Sequence, residues 1–346
     1  MKMTKNFRNM FIPFCFAVLL VCLPGFFVAQ GIIDAYTAQI ITLAGINAVM
    51  AISVNIVCGI TGQLSLGQAG FMAIGAYACI ILTEMLSIPM PISIFLAGIV
   101  AAFFGFLIGY PTLQLTGDYL AIVTLGFGEI IRVLLVNFKE LTGGANGKRF
   151  NSAGAIAMSA SPALSYFVVI GTLALIIIFW HNFQKSTYGR AILAVREDEI
   201  AANSSGISVF RYKMIGFVIA AFVAGLGGAL YAPFIGFIKP EMAGWINSIY
   251  QLIYVVLGGM GSMTGSILGA FVLTYLQELL RFLKDFRMVI YPLLLILVML
   301  FRPQGLLGER ELSFVKVWDF IVKFIKKIVS IIKKTTKTGN KGGSDV

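Results

Sequence analysis

Charged residues are scarce in this sequence: Asp, Glu, Lys and Arg together make up 12% of its 346 residues. An ordinary soluble domain carries about twice that share of charge. Hydrophobic residues instead make up 59% of the chain, and most of them lie in long runs. The composition therefore excludes an ordinary soluble domain and predicts an integral membrane protein.

Residues that commonly bind metals or carry out acid–base chemistry are also few. The single histidine, His181, lies at the end of an apolar run. The four cysteines lie in apolar segments without C-x-x-C spacing; they are Cys15, Cys22, Cys58 and Cys79. The metalloprotease pattern H-E-x-x-H and the hydrolase pattern G-x-S-x-G are both missing. We therefore expect no enzyme active site, no metal site and no cofactor in this chain.

A nucleotide-binding loop is missing as well. The Walker pattern G-x-x-x-x-G-K-[ST] cradles phosphate groups on its backbone N–H groups. The nearest stretch, Thr142 to Arg149, lacks the first glycine and ends in arginine. If this chain takes part in ATP-driven transport, another protein has to hydrolyse the ATP.

The apolar runs predict an all-α membrane protein with about ten spanning helices. A helix needs about 20 apolar residues to cross the bilayer, and the alternating pattern of a transmembrane barrel is missing. The predicted spans are 11–29, 36–58, 68–86, 91–110, 119–137, 162–180, 214–236, 246–260, 263–281 and 286–301. Small residues recur every four positions within them, as at Ala221, Gly225 and Ala229, which predicts closely packed helices.

The distribution of positive charge predicts the topology. The net charge is +11, and basic residues are concentrated before the first span and after the last. Such residues mark the cytoplasmic side, so both termini are predicted in the cytoplasm. Ten crossings then place 181–213 in the cytoplasm and 138–161 outside. Because no nucleic-acid-binding motif accompanies the charge, we expect the lipid bilayer, and not a nucleic acid, as its partner.

Two glycine-rich stretches interrupt the spans: 59–70, with the sequence GITGQLSLGQAG, and 257–265, with the sequence LGGMGSMTG. Both predict broken helices or tight reversals. In transporters, paired breaks in corresponding halves often lie at the substrate site, so pseudo-symmetric halves are one interpretation. Simple cytoplasmic turns with packing glycines are the other. The candidate translocation-path residues here are Gly62, Gln63, Ser65, Gln68, Gly258, Gly259, Gly261 and Ser262.

One acidic residue within the spans is a further candidate for the translocation path. Glu129 and Arg132 are three residues apart, so one helix face can pair them. Glu129 either lines or gates the path, or forms a structural ion pair that locks helices together. A switchable acid of this kind is also what an ion-coupled secondary transporter requires.

Charge is most concentrated in the segment from Tyr188 to Lys213, between two long apolar runs. It predicts a short amphipathic helix beginning near Gly189 and ended by Gly206. Its apolar ridge and charged rim suit a groove on another protein, whereas the alternative is packing on its own bundle. The candidate docking residues are Gly189, Arg190, Ile192, Val195, Arg196, Glu197, Asp198 and Glu199, with Ile200 completing the ridge.

Several further motifs accompany this segment: GITGQLSLGQAGFMAIGAY (59–77), TGDYLAIVTLGFGEIIR (116–132), LTGGANG (141–147), GLGGALYA (225–232), GGMGSMTGSILGA (258–270) and FRPQGLLG (301–308). Taken together, they closely resemble the permease subunits of high-affinity branched-chain amino-acid ABC importers, and among these the second, or M-type, permease. The resemblance implies an ABC-importer permease fold that translocates Leu, Ile and Val. It also implies that the segment Tyr188 to Lys213 couples the permease to an ATPase. Permeases of urea importers share nearly the same motifs, so urea, amides or other amino acids are alternative substrates.

The resemblance also implies a set of partners. These are a homologous second permease, two ATP-binding cassette ATPases and an extracytoplasmic solute-binding protein, assembled in a bacterial plasma membrane. The permease domain is expected over residues 1–308. The tail, 309–346, is basic and is expected in the cytoplasm. Polar residues recur at steps of three or four within 312–332, which predicts an amphipathic helix on the inner leaflet; they are Lys316, Asp319, Lys323, Lys326 and Ser330. Residues 333–346 are expected to be disordered.

Overall fold

The computed structural model describes residues 33–115, 117–302 and 305–308, together with residues 25, 27, 28 and 30. Most of the first predicted span, 11–29, and all of the predicted amphipathic helix, 312–332, lie outside the described residues.

The described part of the chain is built almost entirely from α-helices. They are α1 Ala35–Val54, α2 Gln68–Glu84, α3 Met90–Thr112, α4 Asp118–Asn137, α5 Lys139–Thr142, α6 Ala153–Ala160, α7 Pro162–Lys185, α8 Thr187–Glu197, α9 Glu199–Ser204, α10 Val209–Ile235, α11 Trp245–Gly258, α12 Met263–Leu279 and α13 Arg287–Phe301. A π-helix, Asn55–Ile60, continues α1, and 3-10 helices occupy Gly144–Asn146, Pro240–Ala243 and Leu280–Phe286. Two short strands, β1 Lys148–Arg149 and β2 Phe237–Ile238, pair antiparallel.

Six segments of the described chain are long and apolar enough to cross a membrane. They are Ala35–Ile60, Met90–Thr112, Asp118–Asn137, Pro162–Lys185, Val209–Ile235 and Met263–Leu283. The spans predicted at 68–86, 246–260 and 286–301 are also helical, but α2, α11 and α13 have only 17, 14 and 15 residues. The all-helical membrane architecture is therefore confirmed, whereas the predicted count of about ten full spans is not.

Helix α10 lies at the centre of the bundle, where it packs against α1, α2 and α3. The small residues on α10 allow this contact. A Cβ added at Gly75 would overlap the carbonyl oxygen of Gly225, and one added at Gly228 would overlap that of Met72. Backbone contact this close is possible only without side chains, as predicted from the four-residue repeat.

Helix α7 runs from one end of the bundle to the other. At one end, Lys148 forms an ion pair with Glu84 at 3.4 Å, and strands β1 and β2 pair. At the other end lie α8 and the turn between α11 and α12, where the Leu306 N–H donates to the Leu257 carbonyl oxygen at 2.8 Å. The 24 residues of α7 extend about 36 Å along the helix axis. The segments predicted on opposite sides of the membrane, 138–161 and 181–213, thus flank one membrane-length helix.

Candidate translocation and coupling site

The charged segment forms two helices, where the sequence predicted one. The Ser186 hydroxyl accepts from the Gly189 N–H at 3.2 Å and begins α8. Asp198 then interrupts the helix, because its carboxylate accepts from the N–H groups of Ile200 and Ala201 at 2.8 and 3.0 Å and begins α9 instead. Gly206, the predicted end of the helix, lies two residues after the last residue of α9, Ser204.

The residues of the predicted apolar ridge do not share one face: two are buried and one is exposed. Ile192 and Val195 are each 2% exposed and pack into the core of the protein itself. Ile200, on α9, is 81% exposed, and the side chain of Glu197 is 76% exposed. Residues 192 and 195 thus hold α8 on its own bundle. The residues of the predicted docking set that are exposed to another protein are Arg190, Glu197, Asp198, Glu199 and Ile200.

Arg196 lies between the two glycine-rich stretches. Its Cγ is 3.2 Å from the position that a Cβ on Gly62 would occupy, and its Nη1 is 3.1 Å from the corresponding position on Gly261. Both glycines have positive φ angles, +69° and +88°, in the left-handed region that favours glycine. The side chain of a coupling candidate therefore covers both breaks at once.

Asn55 joins the two breaks directly. Its side-chain oxygen accepts from the Gly261 N–H at 2.8 Å, which fastens the π-helical end of α1 to the turn before α12. We call Asn55, Gly62, Arg196 and Gly261 the arginine cluster. It brings together residues that the sequence assigned to the coupling set and to the translocation path.

Lys213 anchors α9 to α10. Its ammonium group lies 2.5 Å from the Glu199 carboxylate, and the lysine side chain is 10% exposed. The Glu199 side chain is itself 48% exposed, so this ion pair holds α9 against α10 at the protein surface.

The break after α1 is an extended segment that returns beside the π-helix. The Gln63 N–H donates to the Val57 carbonyl oxygen at 3.0 Å, and the Ser53 hydroxyl donates to the Gln68 Oε1 at 2.9 Å. Ser65 is buried next to Gln63, whose own side-chain amide is 3% exposed and has no partner among the described residues. Such backbone is tolerated at membrane depth where protein surrounds it.

The break after α11 is a turn between packed helices. Gly258 is in backbone contact with Gly265, and Gly259 with Gly308. The Ser262 hydroxyl accepts from the Gly265 N–H at 3.1 Å and begins α12. The candidate translocation-path residues of this stretch, Gly258, Gly259, Gly261 and Ser262, therefore form the turn and the contact between α11 and α12.

Glu129 lies apart from the arginine cluster. Its carboxylate accepts from the Arg132 Nε at 2.6 Å and from the Trp245 N–H, at the first residue of α11, at 3.3 Å. A carboxylate at a helix N-terminus is stabilised by the helix dipole. These contacts are the ones expected if Glu129 has a structural role, in which its ion pair with Arg132 holds α11 against α4.

A cavity of about 390 Å³ lies among α1, α2, α10, α11 and α12. Its polar lining comes from side-chain amides and tyrosines, including Asn47, Asn247, Gln251, Tyr231 and Tyr254. The sequence analysis did not single these residues out. Their visible feature was only that each is polar within or beside an apolar run. In the described part of the chain, no group of three or more His, Cys, Asp or Glu side chains could hold a metal ion.

The sequence matches a family model described as branched-chain amino acid transport system / permease component, over residues 36–301. The chain belongs to this family. It is 38% identical to the high-affinity branched-chain amino acid transport system permease protein LivM of Escherichia coli K12, over 84% of this chain and 73% of the relative. No solved structure matches it.

The chain is also similar to other permease proteins of branched-chain amino acid transport systems. It is 27% identical to the permease protein LivH of Salmonella typhimurium, over 79% of this chain and 94% of the relative. It is 28% identical to the permease protein BraD of Pseudomonas aeruginosa, over 79% of this chain and 95% of the relative. The greater likeness to LivM agrees with the M-type resemblance of its motifs. The protein is thus a membrane transport permease and not an enzyme.

Proposed function

We propose that this protein is the membrane-spanning permease subunit of an ATP-driven importer that brings Leu, Ile and Val into a bacterial cell. The partners are a homologous second permease, two ATP-binding cassette ATPases and an extracytoplasmic solute-binding protein. Both termini, with α8 and α9, face the cytoplasm of the plasma membrane. The family and the match to LivM support this assignment, and the position of Arg196 is the observation that carries its mechanism.

The proposed mechanism divides the coupling segment into an outer and an inner face. Glu197 and Ile200 contact the ATPase, because both are exposed at the surface. Ile192 and Val195 hold α8 in the bundle, so a displacement of α8 displaces Arg196 with it. Since Arg196 covers Gly62 and Gly261, ATPase movement is passed to the ends of α1 and α11.

Reversing the charge at Glu197 should weaken ATPase docking without unfolding the permease. In Glu197→Lys, we expect less ATPase to co-purify with the complex and leucine uptake to fall roughly tenfold, as for removal of a well-placed interface contact. The measurement combines co-purification of the ATPase with uptake of labelled leucine in cells. Glu197 is preferred to Glu199 as the target because its contact with the Arg196 Nε, at 4.0 Å, is long and its side chain is 76% exposed. Reversal at Glu199 would instead place two positive charges together at the buried Lys213, whose ammonium group lies 2.5 Å from the Glu199 carboxylate.

The matched control is Glu140→Lys, the same charge reversal on an exposed residue of α5. Glu140 lies at the end of the bundle where strands β1 and β2 pair. It should leave ATPase co-purification unchanged. Normal ATPase association together with normal uptake in Glu197→Lys would refute the docking assignment.

The alternatives make different predictions in the same cells. A urea or amide importer would take up urea and leave labelled leucine outside. An ion-coupled secondary transporter would take up leucine without any ATPase, and the acid it would require, Glu129, is engaged with Arg132 and the start of α11.

A further inference from the structure

The cavity among α1, α2, α10, α11 and α12 has no charged side chain among the described residues that line it. None of these residues is Asp, Glu, Lys or Arg, and the polar groups are amides and phenols. An amide both donates and accepts hydrogen bonds, so it can bind an ammonium group or a carboxylate. Such a lining selects against a ligand with net charge and accommodates one whose opposite charges balance.

Gln251 has an unused acceptor at this cavity. Its side chain is 6% exposed, and its Nε2 donates to the Met72 sulfur at 3.4 Å. Its Oε1 has no hydrogen-bond partner among the described residues. A buried oxygen without a donor is destabilising. Because this oxygen is itself buried, a ligand N–H would relieve that cost once the Gln251 amide turns toward the cavity.

The apolar part of the lining is adaptable. Met72 and Met242 both line the cavity, and methionine side chains adjust to ligands of different shape. Leu43 adds aliphatic surface from α1. The cavity thus combines an amide side for polar groups with a flexible side for an aliphatic chain.

We infer that this cavity is a transit site for a zwitterionic amino acid with an aliphatic side chain, and that Gln251 Oε1 accepts a hydrogen bond from its ammonium group. The inference rests on the proposed function and specifies where in this chain the substrate is bound. It places the substrate at residues other than the glycine-rich turns from which the sequence predicted the path.

The site is connected to the arginine cluster by two helices that form its walls. Asn47 and Asn55 are on the helix formed by α1 and its π-helical end, about 12 Å apart along the axis. Gln251 and Gly258 are on α11, about 10 Å apart. A displacement of Arg196 is therefore passed to two walls of the cavity.

The test is uptake by the complete importer in proteoliposomes supplied with internal ATP. In Gln251→Leu, which keeps the size and removes the acceptor, leucine uptake should fall roughly five- to tenfold. ATPase co-purification should be unchanged. The control is Gln39→Leu, the same change on an exposed residue of α1 outside the cavity, and its uptake should equal that of the unmodified protein.

A second measurement does not depend on turnover. Asn247→Cys, with the native cysteines changed to alanine, should react with N-ethylmaleimide several-fold more slowly in the presence of leucine than in the presence of aspartate. In Gln39→Cys, the two rates should be equal. Equal rates at both positions, or normal uptake in Gln251→Leu, would overturn the transit site. Failure of the unmodified importer to take up any branched-chain amino acid would instead refute the proposed function.

Discussion

Replacing Gly228 with alanine should prevent the bundle from assembling normally. The added Cβ would overlap the Met72 carbonyl oxygen, so α2 and α10 would have to move apart. Overpacking of a core costs ~1–3 kcal/mol where side chains can adjust. Here the added Cβ would meet a backbone atom, which adjusts less easily, so we expect a cost at the upper end of this range. We expect little folded protein, or an apparent melting temperature in detergent lower by roughly 6–12 °C.

The control for this prediction is Gly171→Ala. Gly171 is also within a long helix, but a Cβ there would have no neighbour within 4 Å. Because alanine is the better helix former, this variant should be as stable as the unmodified protein or slightly more stable. The measurements are the yield of monodisperse protein and thermal unfolding. Equal stability of the two variants would show that α2 and α10 are not packed as described.

Replacing Arg196 with alanine should abolish most uptake while the ATPase still binds. The exposed docking residues, Glu197 and Ile200, are retained, so ATPase association should persist. The side chain that covers Gly62 and Gly261 is removed, so ATPase movement no longer displaces these turns. We expect leucine uptake to fall by roughly tenfold or more, which corresponds to ~1.4 kcal/mol of lost interaction energy.

Uptake, ATPase co-purification and ATP hydrolysis should be measured together for Arg196→Ala. Continued hydrolysis without uptake is the expected result. The control is Arg211→Ala, which removes an exposed arginine of the same charged segment, in the first turn of α10, that does not contact Gly62 or Gly261. It should retain more uptake than Arg196→Ala. Loss of ATPase association in Arg196→Ala would instead make Arg196 a docking residue, and unchanged uptake would remove it from the mechanism.

Much of the fold could be predicted from the pattern of apolar, glycine and other small residues along the sequence. Long apolar runs predicted helices throughout 36–301, and clusters of glycine with Ser, Thr and Gln predicted the breaks at 59–70 and 257–265. Small residues at four-residue steps predicted the close contact of α10 with its neighbours. Helix lengths were harder to predict: in α2 and α11, the runs exceeded the helices because adjoining apolar residues belong to turns.

The orientation of the coupling segment could not be predicted in this way. Ile192, Val195 and Ile200 are spaced as a single ridge only if one helix contains all three. The Asp198 cap divides that helix and turns Ile200 outward, while the other two are buried. A capping residue in the middle of a charged run is ambiguous in sequence, since it is equally suited to an exposed helix surface.

The sequence by itself determined that this protein is an all-helical membrane permease with two broken segments and a charged loop between two long apolar runs. These properties depend on composition and on neighbours along the chain. Only the tertiary structure decided that Arg196 covers both breaks, that Glu129 contacts the start of α11, and that five helices line a cavity with no charged side chain among its described lining residues. The reason is physical: membrane helices are apolar on every side, so their periodicity does not show which side faces a neighbouring helix, a cavity or lipid.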